Sequence, residues 1–338
     1  MASFMLRQLV LAILFALVSI SEASAHCFVG SRFFPATLNV DDPCVADELS
    51  LPTVSAFKNS ALPTSDFPSA RQLDISGELS KRITDNFGIS FGSTWSRLHP
   101  PGGPNASGFQ NLETSAKLQF LTDPARELVM SAALGVEWGN TGAARVGAES
   151  FSTITPTFFF GKGLGDLPDT LRWARPFAVT GQLGYAIPSK SFKLVPGEID
   201  PETGEQEFET ERRAKFLVYG GSVQYSMPYL KANVVDLGLP DFINRLIPIV
   251  EAQFQTPAGN SFDTGLGTTG TINPGVLWVG NYFQLAVEAI IPINRASGSG
   301  VGVMGQLHFY LDDIFPRSIG RPIFTSTTIP AGRPTFGN

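Results

Sequence analysis

Between Leu73 and Leu311 the chain repeats segments of roughly ten residues in which apolar residues alternate with small or polar ones. In the clearest segment, 128–138, the even-numbered positions are apolar: Leu128, Met130, Ala132, Leu134, Val136 and Trp138. Alternation with period two indicates a β-strand, because successive side chains of a strand point to opposite faces. Strands of this length match a tilted crossing of about 30 Å of hydrocarbon. The pattern predicts an all-β fold, a transmembrane antiparallel β-barrel.

The number of strands follows from the segments and their connections. Eleven segments alternate clearly, whereas single-chain bacterial barrels close with an even number of strands. Short connections belong on the periplasmic side and long ones outside, so the strand beginning at Leu73 runs inwards. An outward strand must precede it, and residues 49–58 are the candidate, which gives about twelve strands. Pro156 and Pro274 lie inside predicted strands, where proline removes a ladder hydrogen bond, and we expect local bulges there.

The first 25 residues have the features of a secretory signal peptide. Arg7 provides a basic start, residues 9–20 are largely apolar, and Ala23-Ser24-Ala25 forms a small-residue cleavage site. The apolar stretch is too short to span a bilayer as a helix. We therefore expect residues 1–25 to be a cleaved signal peptide and the chain to be exported.

The remaining chain divides into three parts. We expect residues 26–48 to form a segment in the periplasm or in the lumen, and residues 49–311 to form the barrel. Residues 312–338 are rich in proline, which disfavours another strand. For this tail we expect a C-terminal periplasmic extension, with a position inside the lumen as the alternative.

Cys27 and Cys44 are the only two cysteines. In an oxidising periplasm, two cysteines that close a short loop are expected to form a disulfide. A redox or metal-binding pair is the alternative, but the chain has no C-x-x-C motif and only His26 lies nearby. The disulfide is the preferred interpretation.

The composition agrees with a barrel in lipid. Charged residues make up 16% of the chain, below the quarter or so that is usual for soluble domains, yet the mean hydropathy is only +0.09. A barrel combines a lipid-facing half with a polar interior and gives this intermediate composition. A secreted soluble β-sandwich or propeller is the alternative fold. The net charge of −6 argues against a nucleic-acid partner.

The alternation assigns one set of polar residues to the inward face of the strands. They are Asp74, Glu78, Glu113, Lys117, Glu137, Gln182, Gln224, Glu251, Gln253, Glu288, Gln306 and His308. Any barrel needs a polar lumen, so general lining with internal ion pairs is one interpretation. The other is a pore surface in which acidic groups favour cations. Carboxylates outnumber Lys117 in this set, which motivates the hypothesis of a cation preference.

Catalytic chemistry has little support in the sequence. His308 beside a serine on the lumen face would resemble a barrel hydrolase, but a single polar group on an inward face is the preferred interpretation. No G-x-S-x-G, H-E-x-x-H or P-loop motif is present. We expect no enzymatic activity, cofactor or metal. The predicted function is a channel or transporter for small solutes, with a plugged structural barrel and, third, a lipid-modifying enzyme as alternatives.

The whole mature chain resembles Gram-negative outer-membrane β-barrel proteins. More narrowly, segments 32–38 (RFFPATL), 47–52 (DELSLP) and 308–316 (HFYLDDIFP) resemble a proteobacterial transporter-like barrel family, mostly uncharacterised and linked to meta-pathway degradation of phenols. This resemblance implies solutes that include hydrophobic or aromatic compounds. It also implies the cell outer membrane, with its lipid and lipopolysaccharide and the barrel-assembly machinery as partners. Such barrels usually end on an aromatic strand residue, and the tail that follows Phe309-Tyr310-Leu311 departs from that pattern.

Overall fold

The computed structural model describes residues 27–60, 69–199, 206–261 and 265–324, and these form a closed antiparallel barrel of twelve strands. Each strand pairs with the next along the chain, and the last pairs with the first. The strands are β1 (Glu48–Lys58), β2 (Arg71–Arg82), β3 (Phe87–His99), β4 (Leu112–Asp123), β5 (Leu128–Trp138), β6 (Thr153–Gly163), β7 (Phe177–Pro188), β8 (Lys215–Tyr225), β9 (Leu246–Gly259), β10 (Thr269–Val279), β11 (Phe283–Pro292) and β12 (Gly302–Tyr310). The predicted fold class and the count of twelve are confirmed.

Closure depends on β1, the strand inferred from the even strand number and the lengths of the connections. In β1, Leu49 pairs with Phe309 of β12 on one side and with Leu79 of β2 on the other. Because this strand completes the ring, no edge with unpaired backbone groups faces the lipid, as a membrane barrel requires. We call the end of the barrel that holds residues 83–86 and 280–282 the turn end and the opposite end the loop end.

Several connections contain structure of their own, among them a short strand, Ala106–Phe109, that pairs with β3. The connection at 226–245 holds α1 (Met227–Asn233) and α2 (Asp241–Asn244). The long connection between β7 and β8 contains a two-stranded hairpin, Phe192–Ile199 with Gln206–Arg212. Its first strand contains Pro-Gly at 196–197, which interrupts the alternation and hides the strand from a pattern analysis. Among the described residues, no helix combines the length and apolarity needed to cross a membrane.

The expectation of bulges at Pro156 and Pro274 is wrong. The pairing of β6 with β7 omits the positions beside Pro156 yet resumes in the same register, and β10 and β11 do the same beside Pro274. The paired residues on either side of each proline keep the two strands in register despite the missing hydrogen bond. Register shifts occur instead next to Pro52 in β1 and Pro257 in β9.

The barrel is apolar outside and polar inside. On the outer face, mid-strand Leu134, Leu183 and Val223 are each about half exposed. On the inner face, Ser131 and Glu251 are fully buried. This distribution inverts that of a soluble protein and fits a barrel in lipid.

The N-terminal residues fill part of the lumen. Residues 27–47, which we call the plug, contain a small hairpin that pairs Phe28 with Phe33, and a disulfide joins Cys27 to Cys44 near the ends of the segment. At the other terminus, α3 (Leu311–Ile314) and the residues up to 324 cross the turn end, where Ile83 accepts a hydrogen bond from the backbone N–H of Phe324 (2.8 Å). The described part of the tail therefore packs on the barrel.

Candidate functional site

The tip of the plug is hydrogen-bonded to the wall of the lumen. The carboxylate of Glu251 on β9 accepts hydrogen bonds from the backbone N–H groups of Leu38, Asn39 and Val40, each at 3.0 Å. On β5, Ser131 donates to the backbone carbonyl of Pro43 at 2.6 Å. Three N–H groups that converge on one buried carboxylate satisfy both partners away from water.

On the other side of the tip, Lys117 of β4 holds the plug by charge. Its ammonium group donates to the carboxylate of Asp41 (2.7 Å) and to the backbone carbonyl of Asp42 (2.9 Å). Gln182 of β7 accepts a hydrogen bond from the backbone N–H of Asp41 at 3.3 Å. The tip is thus tied to β4, β7 and β9, which belong to one half of the barrel wall.

A second network fixes the base of the plug at the turn end. The guanidinium group of Arg32, fully buried, donates to Glu127 (3.0 Å) and to the carbonyl of Pro176 (3.0 Å), and stacks on the ring of Tyr229 at 3.7 Å. Burial and the neighbouring Glu127 raise the pKa of Tyr229 to about 12, so its phenol is neutral at pH 7. Arg32 therefore anchors the plug through a buried ion pair and a cation–π contact.

Between the plug and the opposite wall lies a cavity of about 350 Å³. Its floor consists mainly of small residues on β2 and β3, and its charge is strongly negative. Lys117 is the only lysine or arginine among the described residues that line it. The carboxylates that line it are Asp41, Asp42, Glu48, Glu78 and Glu113. The arrangement concentrates negative potential in a confined polar space.

Strand register explains how these groups come together. His308 pairs with Ser50, Ser50 with Glu78, Glu78 with Gly92, and Gly92 with Glu113, so the five residues form one row across β12, β1, β2, β3 and β4. Adjacent strands lie about 4.8 Å apart, which places the two glutamates about 10 Å from each other along the wall. Gly92 has no side chain and leaves the space between them open.

A serine, a histidine and a glutamate form a chain at one end of this row. Ser50 Oγ and His308 Nδ1 are 2.8 Å apart, and Glu48 Oε2 lies 3.5 Å from His308 Nε2. Sequence analysis expected a serine near His308 only as the less favoured interpretation, and it did not identify Ser50 or Glu48. Closure of the barrel brings the first and last strands together, and no sequence spacing reveals that pairing.

The predicted inward residues divide into three groups. Glu78, Glu113, Lys117, Gln306 and His308 line the cavity, and Gln182 and Glu251 contact the plug. The other five lie outside the cavity lining. Asp74 accepts a hydrogen bond from Ser96 (2.6 Å), and Glu137 accepts one from Asn111 (2.9 Å). Gln224 and Glu288 are buried, and Gln253 pairs with Thr271 of the next strand. The sequence missed the acidic lining residues contributed by the plug and the start of β1, namely Asp41, Asp42 and Glu48, and it also missed Ser50.

The disulfide lies beside one of these carboxylates. Asp42 and the sulfur atoms of Cys27 and Cys44 are close enough to share a metal ion, but both sulfur atoms are committed to the disulfide and provide no thiolate. Burial raises the pKa of the Asp42 carboxyl to about 6, against the opposing charge of Lys117. Asp42 is therefore a group of the cavity that changes charge just below neutral pH.

No family model matches this chain, and no curated protein matches it. Among solved structures, the COG4313 outer membrane channel from Pseudomonas putida F1 is 12% identical, aligns over 82% of this chain and 99% of its own, and has a TM-score of 0.52. The KdgM porin is 10% identical over 77% of this chain and 98% of its own, with a TM-score of 0.43. The similarity to the COG4313 channel shows the fold alone: the chain is a twelve-stranded β-barrel of the outer-membrane type.

Proposed function

We propose that this protein is a passive outer-membrane channel for small polar solutes and that it prefers cations. The observation that carries the proposal is the acidic cavity beside the plug. Among its described lining residues there is no Phe, Tyr or Trp, so the lining favours polar solutes over the hydrophobic or aromatic ones that the family resemblance implied. Carboxylates at a constriction attract cations and repel anions.

The outer surface of the barrel supports a location in the outer membrane. The half-exposed apolar side chains around the barrel suit contact with outer-membrane lipid and lipopolysaccharide. Export through the predicted signal peptide and insertion by the barrel-assembly machinery follow as parts of the same proposal.

Filling the cavity tests the proposed route. A Cβ at Gly92 would meet its nearest atoms at 3.5–3.7 Å, ordinary contact distances, so Gly92→Leu adds bulk to the cavity without a backbone clash. We expect single-channel conductance in planar bilayers to fall at least about twofold, because the added side chain occupies space between Glu78 and Glu113.

The matched control is Gly305→Leu on β12. Gly305 alternates with the lumen-facing Gln306 and therefore faces the lipid, and a Cβ there also has room, at 3.5 Å. This variant should conduct like the wild type. Equal conductance for both variants would show that solutes do not pass through this cavity.

Selectivity should depend on pH through Asp42. With a pKa of about 6, its carboxyl is charged above that pH and neutral below it. We expect the cation-to-anion permeability ratio, measured as a reversal potential, to fall as the pH drops from 7 to 5. The component due to Asp42 is the difference between the wild type and Asp42→Asn. Identical pH profiles for the two proteins would contradict the assignment.

A hydrolase is the second candidate, favoured by the contact between Ser50 and His308. A serine that donates to a histidine is the arrangement of an activated nucleophile, and both residues line the cavity. Hydrolysis of a small soluble ester by the purified protein, abolished in Ser50→Ala while conductance is retained, would support it. Absence of hydrolysis leaves the channel as the function.

A further inference from the structure

One buried acceptor in the cavity wall lacks a donor, and a carboxylate on the same wall has a single long contact. Gln306 is 8% exposed; its amide nitrogen donates to Thr53 (3.0 Å), whereas its Oε1 atom receives no hydrogen bond from any described residue. Glu48 is 9% exposed, and its only polar contact among the described residues is His308 Nε2 at 3.5 Å. Buried polar groups are almost always hydrogen-bonded, so acceptors in this state point to a missing donor.

The neighbouring groups define what that donor must be. Glu78 and Glu113 lie on the same wall, so any molecule beside them experiences a field from several carboxylates. The only lysine of the lining, Lys117, is already committed to Asp41. A ligand that pairs with these acceptors and carboxylates must therefore provide both N–H donors and positive charge.

The space available favours an organic cation over a bare metal ion. The cavity of about 350 Å³ has the size of a small-molecule pocket. A Ca²⁺ or Mg²⁺ ion needs six or more oxygen atoms within about 2.5 Å of one point, whereas these carboxylates are distributed along a row of strands. An ammonium group needs only three acceptors at hydrogen-bond distance, and an aliphatic amine with a second ammonium group reaches a second carboxylate along the row.

We propose that the cavity is a binding site for small aliphatic amines, whose ammonium groups contact Glu48, Glu78 and Glu113 and one of whose N–H groups reaches Gln306. This inference deepens the proposed function, on which it rests, by naming the class of cation. It makes Glu48 and Gln306 specificity-determining residues, since the other carboxylates attract cations of any kind.

The experiment uses 1,4-diaminobutane as the probe and the mature protein in planar bilayers and in detergent. We expect the diamine to reduce the potassium current in a saturable manner and to bind in calorimetry. In Glu48→Gln and Gln306→Leu, the concentration for half-maximal block should rise about tenfold or more, because each substitution removes an acceptor of a charge-assisted hydrogen bond. Asp74→Asn is the matched control: Asp74 faces the lumen outside the cavity lining and should give wild-type block.

The outcomes separate the two proposals. If the protein conducts potassium but the diamine neither blocks nor binds, or blocks all variants equally, the amine site is refuted and the channel stands. Stronger block by calcium than by the diamine would assign a metal site and also refute it. If the protein conducts no ions, the channel fails, and calorimetry with the same variants still decides whether the amine site exists. Retained barrel spectra and unchanged migration of the folded form confirm that each variant is assembled.

Discussion

Replacing Leu134 with arginine is expected to destabilise the membrane-inserted barrel by about 2–4 kcal/mol, the cost of an arginine facing lipid near the bilayer midplane. Leu134 lies in the middle of β5 and is half exposed on the outer face. The free energy of folding into liposomes, measured by urea titration, checks the value.

Ser115→Arg provides the control on the inner face. Ser115 lines the acidic cavity, where an added cation meets opposite charge and solvent, so this variant should lose much less stability. Ser131 is unsuitable because its hydroxyl packs against Pro43 of the plug. Equal losses in Leu134→Arg and Ser115→Arg would mean that the assignment of outer and inner faces is wrong.

Arg32→Ala is expected to cost about 3–5 kcal/mol, because it leaves the carboxylate of Glu127 buried without its cation. Arg32 is fully buried, and its removal also eliminates the hydrogen bond to Pro176 and the contact with Tyr229. We expect a lower midpoint of denaturation. Loosening the base of the plug should also increase the fluctuations of the single-channel current.

A comparison with Arg126→Ala separates burial from charge. Arg126 pairs with Asp123 at 2.8 Å in the turn next to Glu127, but its side chain is 73% exposed, and exposed pairs contribute only about 0–1 kcal/mol. If the two alanine variants denature at the same midpoint, the buried network does not anchor the plug.

Most of the barrel could be predicted from the sequence because the alternation of apolar and polar residues in a membrane strand can be seen in the sequence itself. Each strand has one face in lipid and one in the lumen, so positions such as Leu134 and Glu137 are assigned by parity alone. Parity together with the lengths of the connections also identified β1, whose own pattern is weak. The hairpin between β7 and β8 was missed, because a strand pair outside the membrane has no lipid-facing side to enforce alternation.

The site could be predicted only in part. The inward position of Glu78, Glu113 and Lys117 follows from alternation, but whether each one faces the cavity or the plug does not. Glu251 and Glu78 look alike in the sequence, yet one binds three backbone N–H groups of the plug and the other lines open space. The difference arises from which part of the wall the plug packs against, and that is set by long-range contacts.

By itself the sequence determined the class of fold, the number of strands, the two faces of most strands and many of the polar groups on their inner faces, because those depend on the local period of side chains. The tertiary structure decided that residues 27–47 fill the lumen from one side and that an acidic cavity remains on the other. It also brought Glu48 and Ser50 beside His308. These features depend on closure of the barrel, which brings together residues from opposite ends of the chain. No local sequence pattern specifies such long-range contacts.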